Sequence, residues 1–266
     1  MNYLIDLNVD CGESFGAWPM GHDEAVLPLV TSANIACGFH AGDPQVMART
    51  CEIALRHGVG IGAHPGLPDL QGFGRRPMPL SRHEIETLVA YQIGALMAIA
   101  TRAGASVTHV KAHGALYNMA ERDPSVAEAI AQAVSAVDAR LILIAGTGSP
   151  LVPAAAALGL RFAAEGFPDR AYEDDGMLRS RKLPGAVIHD PAIAAEQAVR
   201  MAVAGEIRTI GGHVLKRPVQ TLCIHGDEPS ATAVAGAIRA ALAAAGVRVA
   251  GLPEVLGAVT SADRTV

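Results

Sequence analysis

The chain has 266 residues and a formal net charge of −5; half of its residues are hydrophobic and 18% are charged. This composition is typical of a compact globular fold and argues against a disordered chain. The sequence contains no basic run and no alternation of basic and aromatic residues, which argues against a nucleic-acid partner. Because it shows neither a leader-peptide pattern nor a long uncharged apolar stretch, we expect a soluble, cytoplasmic protein with no membrane contact.

Short apolar runs alternate with segments of helical pattern along the chain. The runs begin near Leu4, Ala33, Val59, Val107, Leu141, Arg161, Thr221 and Val247. Such alternation predicts βαβ units and a parallel sheet whose strands are buried on both faces. We predict an α/β fold of seven or eight β/α units in a single domain over residues 1–266. This pattern alone leaves a closed barrel and an open sheet as alternatives.

Capping residues mark the predicted helix boundaries. Aspartate followed by proline predicts a helix start at Asp43, Asp123 and Asp190, and Ser81 with Glu84 forms the pattern of a capping box. The predicted helices cover residues 43–58, 81–104, 123–137, 190–204 and 229–245. Three connections, at 65–79, 167–184 and 205–219, are longer than usual. The first two follow strand ends, where we expect them to close over a substrate.

Polar residues alternate along the first strand. Asp6, Asn8 and Asp10 point to one face, since successive side chains of a strand alternate, and Glu13 follows just beyond the strand. Polar groups on a buried strand are costly unless they are paired, hydrogen-bonded or bound to a metal. They predict either a functional group at the strand ends or an internal hydrogen-bond network that supports the fold.

Three histidines, His40, His64 and His113, end three different strands. A single histidine at such a place is often structural, but three at successive strand ends indicate chemistry. With Asp10 they would form either a metal site with an open position for water, or a general acid and base around an amide. The spacing does not separate these alternatives, because no H-x-x-x-H pair lies in a segment of helical pattern.

Further charged residues lie beside these strand ends. Lys111 shares a strand face with His113; in a barrel mouth it must pair with carboxylates or bind an anion, unless it is solvated and structural. Asp43 follows the second strand, and Glu165 and Asp169 are further acids at the sixth. The four cysteines lack C-x-x-C spacing, so we interpret them as buried thiols rather than as a zinc or redox set.

Taken together, several of these segments closely resemble the LamB/YcsF family. The segments are 6–13, 32–44, 62–65, 110–118, 165–172, 178–181 and 224–227. The resemblance covers nearly the whole chain. The sequence departs from the family at Ala112, where a proline is usual between the lysine and the histidine; this changes backbone stiffness rather than chemistry.

The resemblance implies a distorted β/α barrel similar to those of polysaccharide deacetylases and of the glycoside hydrolase/deacetylase superfamily. It also implies ATP-dependent hydrolysis of 5-oxo-L-proline to L-glutamate, with ATP and Mg²⁺ as cofactors and 5-oxoprolinase subunits B and C as partners. Opening an unstrained lactam is uphill, so ATP is expected to activate the amide, for example by phosphorylating its oxygen.

Our hypothesis assigns these residues to two sets. The predicted catalytic residues, around the lactam or a bound metal, are Asp10, His40, His64, Lys111 and His113. The predicted substrate-binding residues are Asn8, Glu13, Asp43, Arg75, Glu165, Asp169, Arg179 and Arg181. Among them, the arginines would join Lys111 in holding a carboxylate or phosphate. Whether a catalytic metal is bound stays open, and two other functions compete: a metal-dependent deacetylase or amidohydrolase of a small amide or sugar, and a non-catalytic substrate-binding subunit.

Overall fold

The computed structural model describes residues 3–225 and 231–262, with side chains up to residue 258. Its strands are β1 (Tyr3–Cys11), β2 (Ser32–Ala36), β3 (Gly60–His64), β4 (Val107–Lys111), β5 (Ile142–Gly146), β6 (Arg161–Gly166), β7 (Glu206–Arg208), β8 (Val214–Lys216), β9 (Thr221–His225) and β10 (Val247–Val249). In this part of the chain, β1 to β6 and β9 form a closed ring in which all neighbouring strands are parallel. The predicted barrel of seven or eight units is therefore confirmed, with seven strands in the ring.

The barrel is distorted where the ring closes. Two residue pairs, Glu165 with Thr221 and Gly166 with Leu222, join β6 to β9. The eighth parallel strand, β10, does not enter the ring but pairs with the first residues of β1. Between β6 and β9, the long connection at 205–219 contains the antiparallel hairpin of β7 and β8. These strands have three residues each, too few to show a periodic pattern in the sequence.

Nine α-helices lie in the described ranges: α1 (Asp23–Val26), α2 (Pro44–Arg56), α3 (Arg82–Arg102), α4 (Gly114–Ala120), α5 (Pro124–Val137), α6 (Leu151–Ala157), α7 (Pro191–Ala204), α8 (Ala231–Ala244) and α9 (Leu252–Ala262). Asp43, Asp123 and Asp190 cap their helices, and Ser81 forms its capping box, as predicted. The predicted helix start at Pro229 lies outside the described residues. Among those that are described, no helix is both long enough and apolar enough to span a membrane.

The apolar core lies outside the ring of strands, between the strands and the helices. Leu7 and Val9 of β1 are fully buried in this core, whereas Asp6 and Asn8 of the same strand both contact Thr221 of β9. The barrel interior is therefore polar along β1 and β4, in contrast to the branched apolar layers that fill many β/α barrels. On the side of β5 and β6, Ile142, Ile144 and Ala163 form a second, small apolar cluster with Leu252. Because the strands are parallel, their C-terminal ends open at one mouth, and the polar interior continues into that mouth.

Candidate active site

Asp6 lies deepest of the three polar residues of β1. Its carboxylate accepts hydrogen bonds from the hydroxyl groups of Thr31 (2.7 Å), Ser32 (2.7 Å) and Thr221 (2.5 Å). Burial raises the pKa of Asp6 to about 6, although the three hydroxyl groups act in the opposite direction. Asp6 is thus part of an internal hydrogen-bond network. Of the two predictions for the polar residues of β1, a network that supports the fold applies at Asp6, and a functional group does not.

Asn8 is also satisfied inside the protein. Its amide nitrogen donates to Glu165 Oε1 (3.0 Å) and Thr221 Oγ1 (2.7 Å), and its amide oxygen accepts from Asn34 Nδ2 (2.8 Å) and Lys111 Nζ (3.2 Å). With both ends of the amide in use, Asn8 orients its neighbours rather than offering a group to a substrate. Its substrate-binding role therefore receives no support from these contacts.

His109 is a member of the same interior that sequence reasoning missed. Its Nε2 lies 3.1 Å from Asn34 Oδ1 and its Nδ1 lies 2.9 Å from Thr108 Oγ1. Burial and the charge of Lys111 lower the pKa of His109 to about 3, which keeps the ring neutral. The signal was present in the sequence, because His109 and Lys111 are two residues apart and share the inward face of β4.

Lys111 is the centre of a lysine cluster that also contains Asn8, Asp10, Glu165 and Cys223. Its ammonium lies 2.8 Å from Glu165 Oε1, 3.1 Å from Asp10 Oδ1 and 2.9 Å from Cys223 Sγ. Burial acts to lower the pKa of Lys111, but the surrounding acids outweigh it and raise that pKa well above its usual value. The ammonium is thus an internal counter-charge whose donors are already in use, so its contacts do not support a role in holding a substrate anion.

The four cysteines are buried thiols, as predicted: none forms a disulfide. Burial raises the pKa of Cys223 well above its usual value, against the effect of Lys111. Cys223 therefore accepts the hydrogen bond from Lys111 as a neutral thiol.

Asp10 connects the lysine cluster to the histidines. One carboxylate oxygen faces Lys111, and the other lies 3.3 Å from His64 Nε2. Burial opposes ionisation, but His64 and Lys111 outweigh it and hold the pKa of Asp10 well below its usual value. With 16% of its side chain exposed, Asp10 is an ionised group that a ligand at the mouth can reach.

His64 and His113 face each other through ring nitrogens. His64 Nδ1 lies 2.7 Å from the Lys111 backbone oxygen, and His113 Nε2 lies 2.8 Å from the Phe73 backbone oxygen. A carbonyl oxygen only accepts, so these two nitrogens must carry protons. The remaining nitrogens, His64 Nε2 and His113 Nδ1, are 3.0 Å apart. Two lone pairs at this distance repel each other, so the arrangement requires either a proton or a metal cation between the two nitrogens.

His40 and Glu13 complete a histidine cluster with His64 and His113. His40 stacks on His113, with ring centroids 3.7 Å apart, and neither of its nitrogens has a hydrogen-bond partner within residues 3–225 and 231–262. One ligand atom from each of the four side chains lies within 4.8 Å of the others. Three imidazoles and one carboxylate are ligands that Zn²⁺ and related transition metals prefer. The residues therefore fit a metal ion.

The protonation state of the cluster agrees with this fit. Burial, together with the neighbouring histidines, lowers the pKa of His40 well below its usual value and that of His113 to about 3. A histidine binds a metal through the neutral ring, and the carbonyl partners of His64 and His113 would fix their tautomers. The expected set paired the histidines with Asp10, whereas the structure places Glu13 among them. Asp10 instead lies beside the cluster, where it contacts His64.

Asp169 pairs with His225 at the end of β9. Its Oδ2 accepts from His225 Nδ1 (2.8 Å) and from the His225 backbone N–H (3.1 Å). Burial opposes ionisation, but His225 holds the pKa of Asp169 below its usual value. The residues that follow in the sequence motif, Gly226 and Asp227, lie outside the described part of the chain.

The remaining predicted residues lie in surface loops or at a helix end. Asp43 caps α2 with one oxygen and accepts from the Gly16 N–H (2.7 Å) with the other. Arg179 is bound within its own loop by Glu173 (2.8 Å) and the Pro184 backbone oxygen (3.0 Å). Arg75 lies over the Phe73 ring, 4.9 Å from its centroid, beside the histidine cluster.

Arg181 lies in the same loop as Arg179, where its charge lowers the pKa of the largely buried Arg170 in addition to the larger effect of burial. Asp43 and Arg179 therefore have structural contacts, whereas Arg75 lies beside the histidines.

Comparison with known proteins shows the family to which the chain belongs. The profile of the LamB/YcsF family matches residues 5–257. The chain belongs to the LamB/YcsF family. Among relatives, the 5-oxoprolinase A subunit of Methylococcus capsulatus is 58% identical over 252 residues, which cover 95% of this chain and 97% of the relative. The 5-oxoprolinase A subunit of Nitrobacter hamburgensis is 56% identical over 247 residues, 92% of this chain and 97% of the relative.

Solved structures confirm the fold of this LamB/YcsF chain. The crystal structure of lactam utilization protein from Thermus thermophilus matches with a TM-score of 0.89 and 48% identity, covering 95% of this chain and 100% of the other. The catalytic domain of peptidoglycan N-acetylglucosamine deacetylase from Eubacterium rectale matches with a TM-score of 0.50 and 11% identity, covering 95% and 89%. At that identity the second match shows only the shared fold. The deacetylase-like barrel implied by the resemblance is confirmed.

Proposed function

We propose that this chain is the A subunit of an ATP-dependent 5-oxoprolinase, which opens the lactam of 5-oxo-L-proline to L-glutamate together with subunits B and C. The observation that carries the proposal is similarity over almost the full length to proteins named as the A subunit of 5-oxoprolinase and to one named lactam utilization protein. The site is compatible with it, because its ionised carboxylate and histidines lie together at the barrel mouth.

Hydrolysis of an amide needs a group that takes a proton from water. Asp10 offers it: its carboxylate is ionised, reaches the mouth and lies 3.3 Å from His64 Nε2. The second His64 nitrogen is held by the Lys111 backbone oxygen, so the ring has one fixed orientation. In this proposal the lysine cluster positions Asp10, Asp10 takes the proton from water, and His64 would hold the metal with the rest of the histidine cluster.

ATP is the proposed energy source, because opening an unstrained lactam is uphill. The sequence contains neither a G-x-x-x-x-G-K-[ST] nor a G-x-G-x-x-G pattern. We therefore place the ATP site, with Mg²⁺, at least partly on one of the partners, and the enzyme in the cytoplasm, where ATP is available.

The histidine cluster supports a second candidate function, metal-dependent hydrolysis of a small amide or a sugar amide. In both candidates Glu13, His40, His64 and His113 would hold the metal. A bound divalent metal polarises a carbonyl oxygen and lowers the pKa of a bound water. If a chelator removes all activity and ATP has no effect, the second candidate is favoured over the first.

Glutamate release from 5-oxo-L-proline and ATP tests the first candidate. The reaction is run with this chain alone, with subunits B and C alone, and with all three. We expect ATP-dependent release when all three are mixed and none when this chain is omitted. Equal release with and without this chain would contradict the proposal.

A further inference from the structure

A small cavity, which we call the Tyr117 cavity, opens at the barrel mouth on the side of β5 and β6. Tyr117, Glu121, Arg122, Gly146, Glu165 and Tyr172 are among its lining residues. None of the four members of the histidine cluster lines it. Its volume of about 40 Å³ suits a small polar group rather than a nucleotide.

Three polar oxygen atoms of this cavity are not satisfied by the protein. Tyr117 Oη, Glu121 Oε1 and Glu165 Oε2 are buried without a hydrogen-bond partner among the residues that the structure describes. Tyr117 is 7% exposed and Glu165 is fully buried. A buried polar atom without a hydrogen-bond partner destabilises a fold. Three such atoms in one cavity therefore indicate a ligand that supplies the missing partners.

Gly146 makes room for these oxygens. A Cβ atom at this position would lie 2.7 Å from Tyr117 Oη and 3.0 Å from Glu121 Oε1. The two oxygens thus converge on one glycine of β5, and any larger residue would fill the space between them and the strand. A glycine in a strand often marks a place where a ligand approaches the backbone closely.

The chemistry of the lining defines the ligand. Two carboxyl groups and a phenol oxygen can accept hydrogen bonds from N–H groups or an ammonium. Burial raises the pKa of Glu121 and of Glu165, so both disfavour isolated charge and gain from such a donor. At the rim, the exposed Arg122 offers a guanidinium to an anion. The lining thus suits a ligand in which an N–H group lies next to a carboxylate. An α-amino acid has this arrangement, and so does the lactam formed when such an amino acid cyclises.

We propose that the Tyr117 cavity binds the ring nitrogen and the adjacent carboxylate of the substrate, with Tyr117, Glu121 and Glu165 facing the N–H and Arg122 facing the carboxylate. This inference rests on the proposed function. Glu165 joins the cavity to the reacting groups, since its other oxygen contacts Lys111, which in turn contacts Asp10. When the C–N bond breaks, water gives its oxygen to the carbonyl carbon and both of its protons to the nitrogen, which leaves a carboxylate and an ammonium. The three oxygens then face the new ammonium.

A matched pair of ligands tests the inference. Isothermal titration calorimetry compares 5-oxo-L-proline with its lactone analogue, in which the ring N–H is replaced by oxygen. A site that hydrogen-bonds an N–H discriminates strongly against an analogue without it. We expect wild type to bind the lactam at least about tenfold more tightly than the lactone. Tyr117→Phe and Glu121→Gln should each bring this ratio closer to one.

Two further variants separate the parts of the site. Arg122→Ala should lower the affinity for both ligands by the same factor, because both carry the carboxylate. The control is Arg102→Ala, at an exposed position of α3, which should change neither affinity. Gly146→Ala, which places a methyl group in the opening, should weaken both ligands. Circular dichroism confirms that each variant is folded.

The outcomes distinguish this inference from the function on which it rests. Equal wild-type affinity for lactam and lactone, or an unchanged ratio in both Tyr117→Phe and Glu121→Gln, overturns the assignment of the cavity and leaves the proposed function intact. Binding of neither compound, by the chain or by the assembled enzyme, overturns both.

Discussion

Two clusters of titratable side chains lie at the mouth of one barrel, and they differ in how completely the protein satisfies them. In the lysine cluster, Lys111 contacts two carboxylates, an amide oxygen and a thiol. In the histidine cluster, the two His40 nitrogens have no hydrogen-bond partner in the described ranges, and two other rings direct nitrogens at each other.

This difference indicates that the lysine cluster supports the barrel and that the histidine cluster binds a ligand. A saturated network gains nothing from a ligand, while a cluster with open lone pairs is completed by a proton or a cation. The one open acceptor of the lysine cluster among the described residues, Glu165 Oε2, faces the Tyr117 cavity instead. Substitutions in the two clusters should therefore differ in their effect on stability.

The largest effect is expected from Lys111→Met, which keeps the length of the side chain but removes the charge. Asp10 and Glu165 would then face each other's charge without a counter-charge. Removing one partner of a buried ion pair costs about 3–5 kcal/mol. Chemical denaturation should show this cost as a lower free energy of unfolding for the variant than for wild type. Lys216→Met, at an exposed lysine of β8, is the control and should change stability by less than about 0.5 kcal/mol. A loss below about 1 kcal/mol for Lys111→Met would show that the lysine cluster does not support the barrel.

A smaller, pH-dependent effect is expected from Asp6→Asn. The folded-state pKa of about 6 lies above the usual value of 3.8, so the folded state binds this proton more strongly than the unfolded chain does. The contribution of Asp6 to stability is therefore full below about pH 4 and is lost as the pH rises through 6. Between pH 4 and 7, wild type should lose up to about 3 kcal/mol relative to the variant. If the unfolding free energies of wild type and Asp6→Asn ran parallel over this pH range, the raised pKa of Asp6 would be contradicted.

The smallest effect on stability is expected from His40→Phe. This change keeps an aromatic ring on the His113 stack and removes two buried nitrogens that have no described partner. Replacing an unsatisfied polar group by an apolar one of similar shape is close to neutral. Without metal, the unfolding free energy should stay within about 1 kcal/mol of wild type. A loss as large as that of Lys111→Met would mean that His40 is a structural residue.

The sequence allows prediction of those parts of the site that local patterns encode. Asp10, His40, His64, Lys111 and His113 lie at the ends of strands or within four residues after them, so parallel strand order was enough to place them at one mouth. The capping residues Asp43 and Ser81 likewise marked helix starts correctly. Both kinds of inference need only periodicity and neighbours along the chain.

Other parts depend on turns and on contacts between distant segments. Gly12 has a φ of +66°, and the turn there carries Glu13 away from the line of β1 and toward the histidines. Tyr117 and Glu121 lie on and just after the short helix α4 and meet Gly146 only because the barrel closes. No local pattern gives such a distance, which is why Glu13 was grouped with the substrate-binding residues and Glu121 was missed.

Titration of chelator-treated protein with Zn²⁺ by calorimetry tests most directly whether the histidine cluster is the open site of this barrel. We expect one ion per wild-type chain, an affinity at least about a hundredfold lower in His40→Phe, and retention of the site in folded Lys111→Met. Absence of stoichiometric binding to wild type, or equal binding by wild type and His40→Phe, would contradict it.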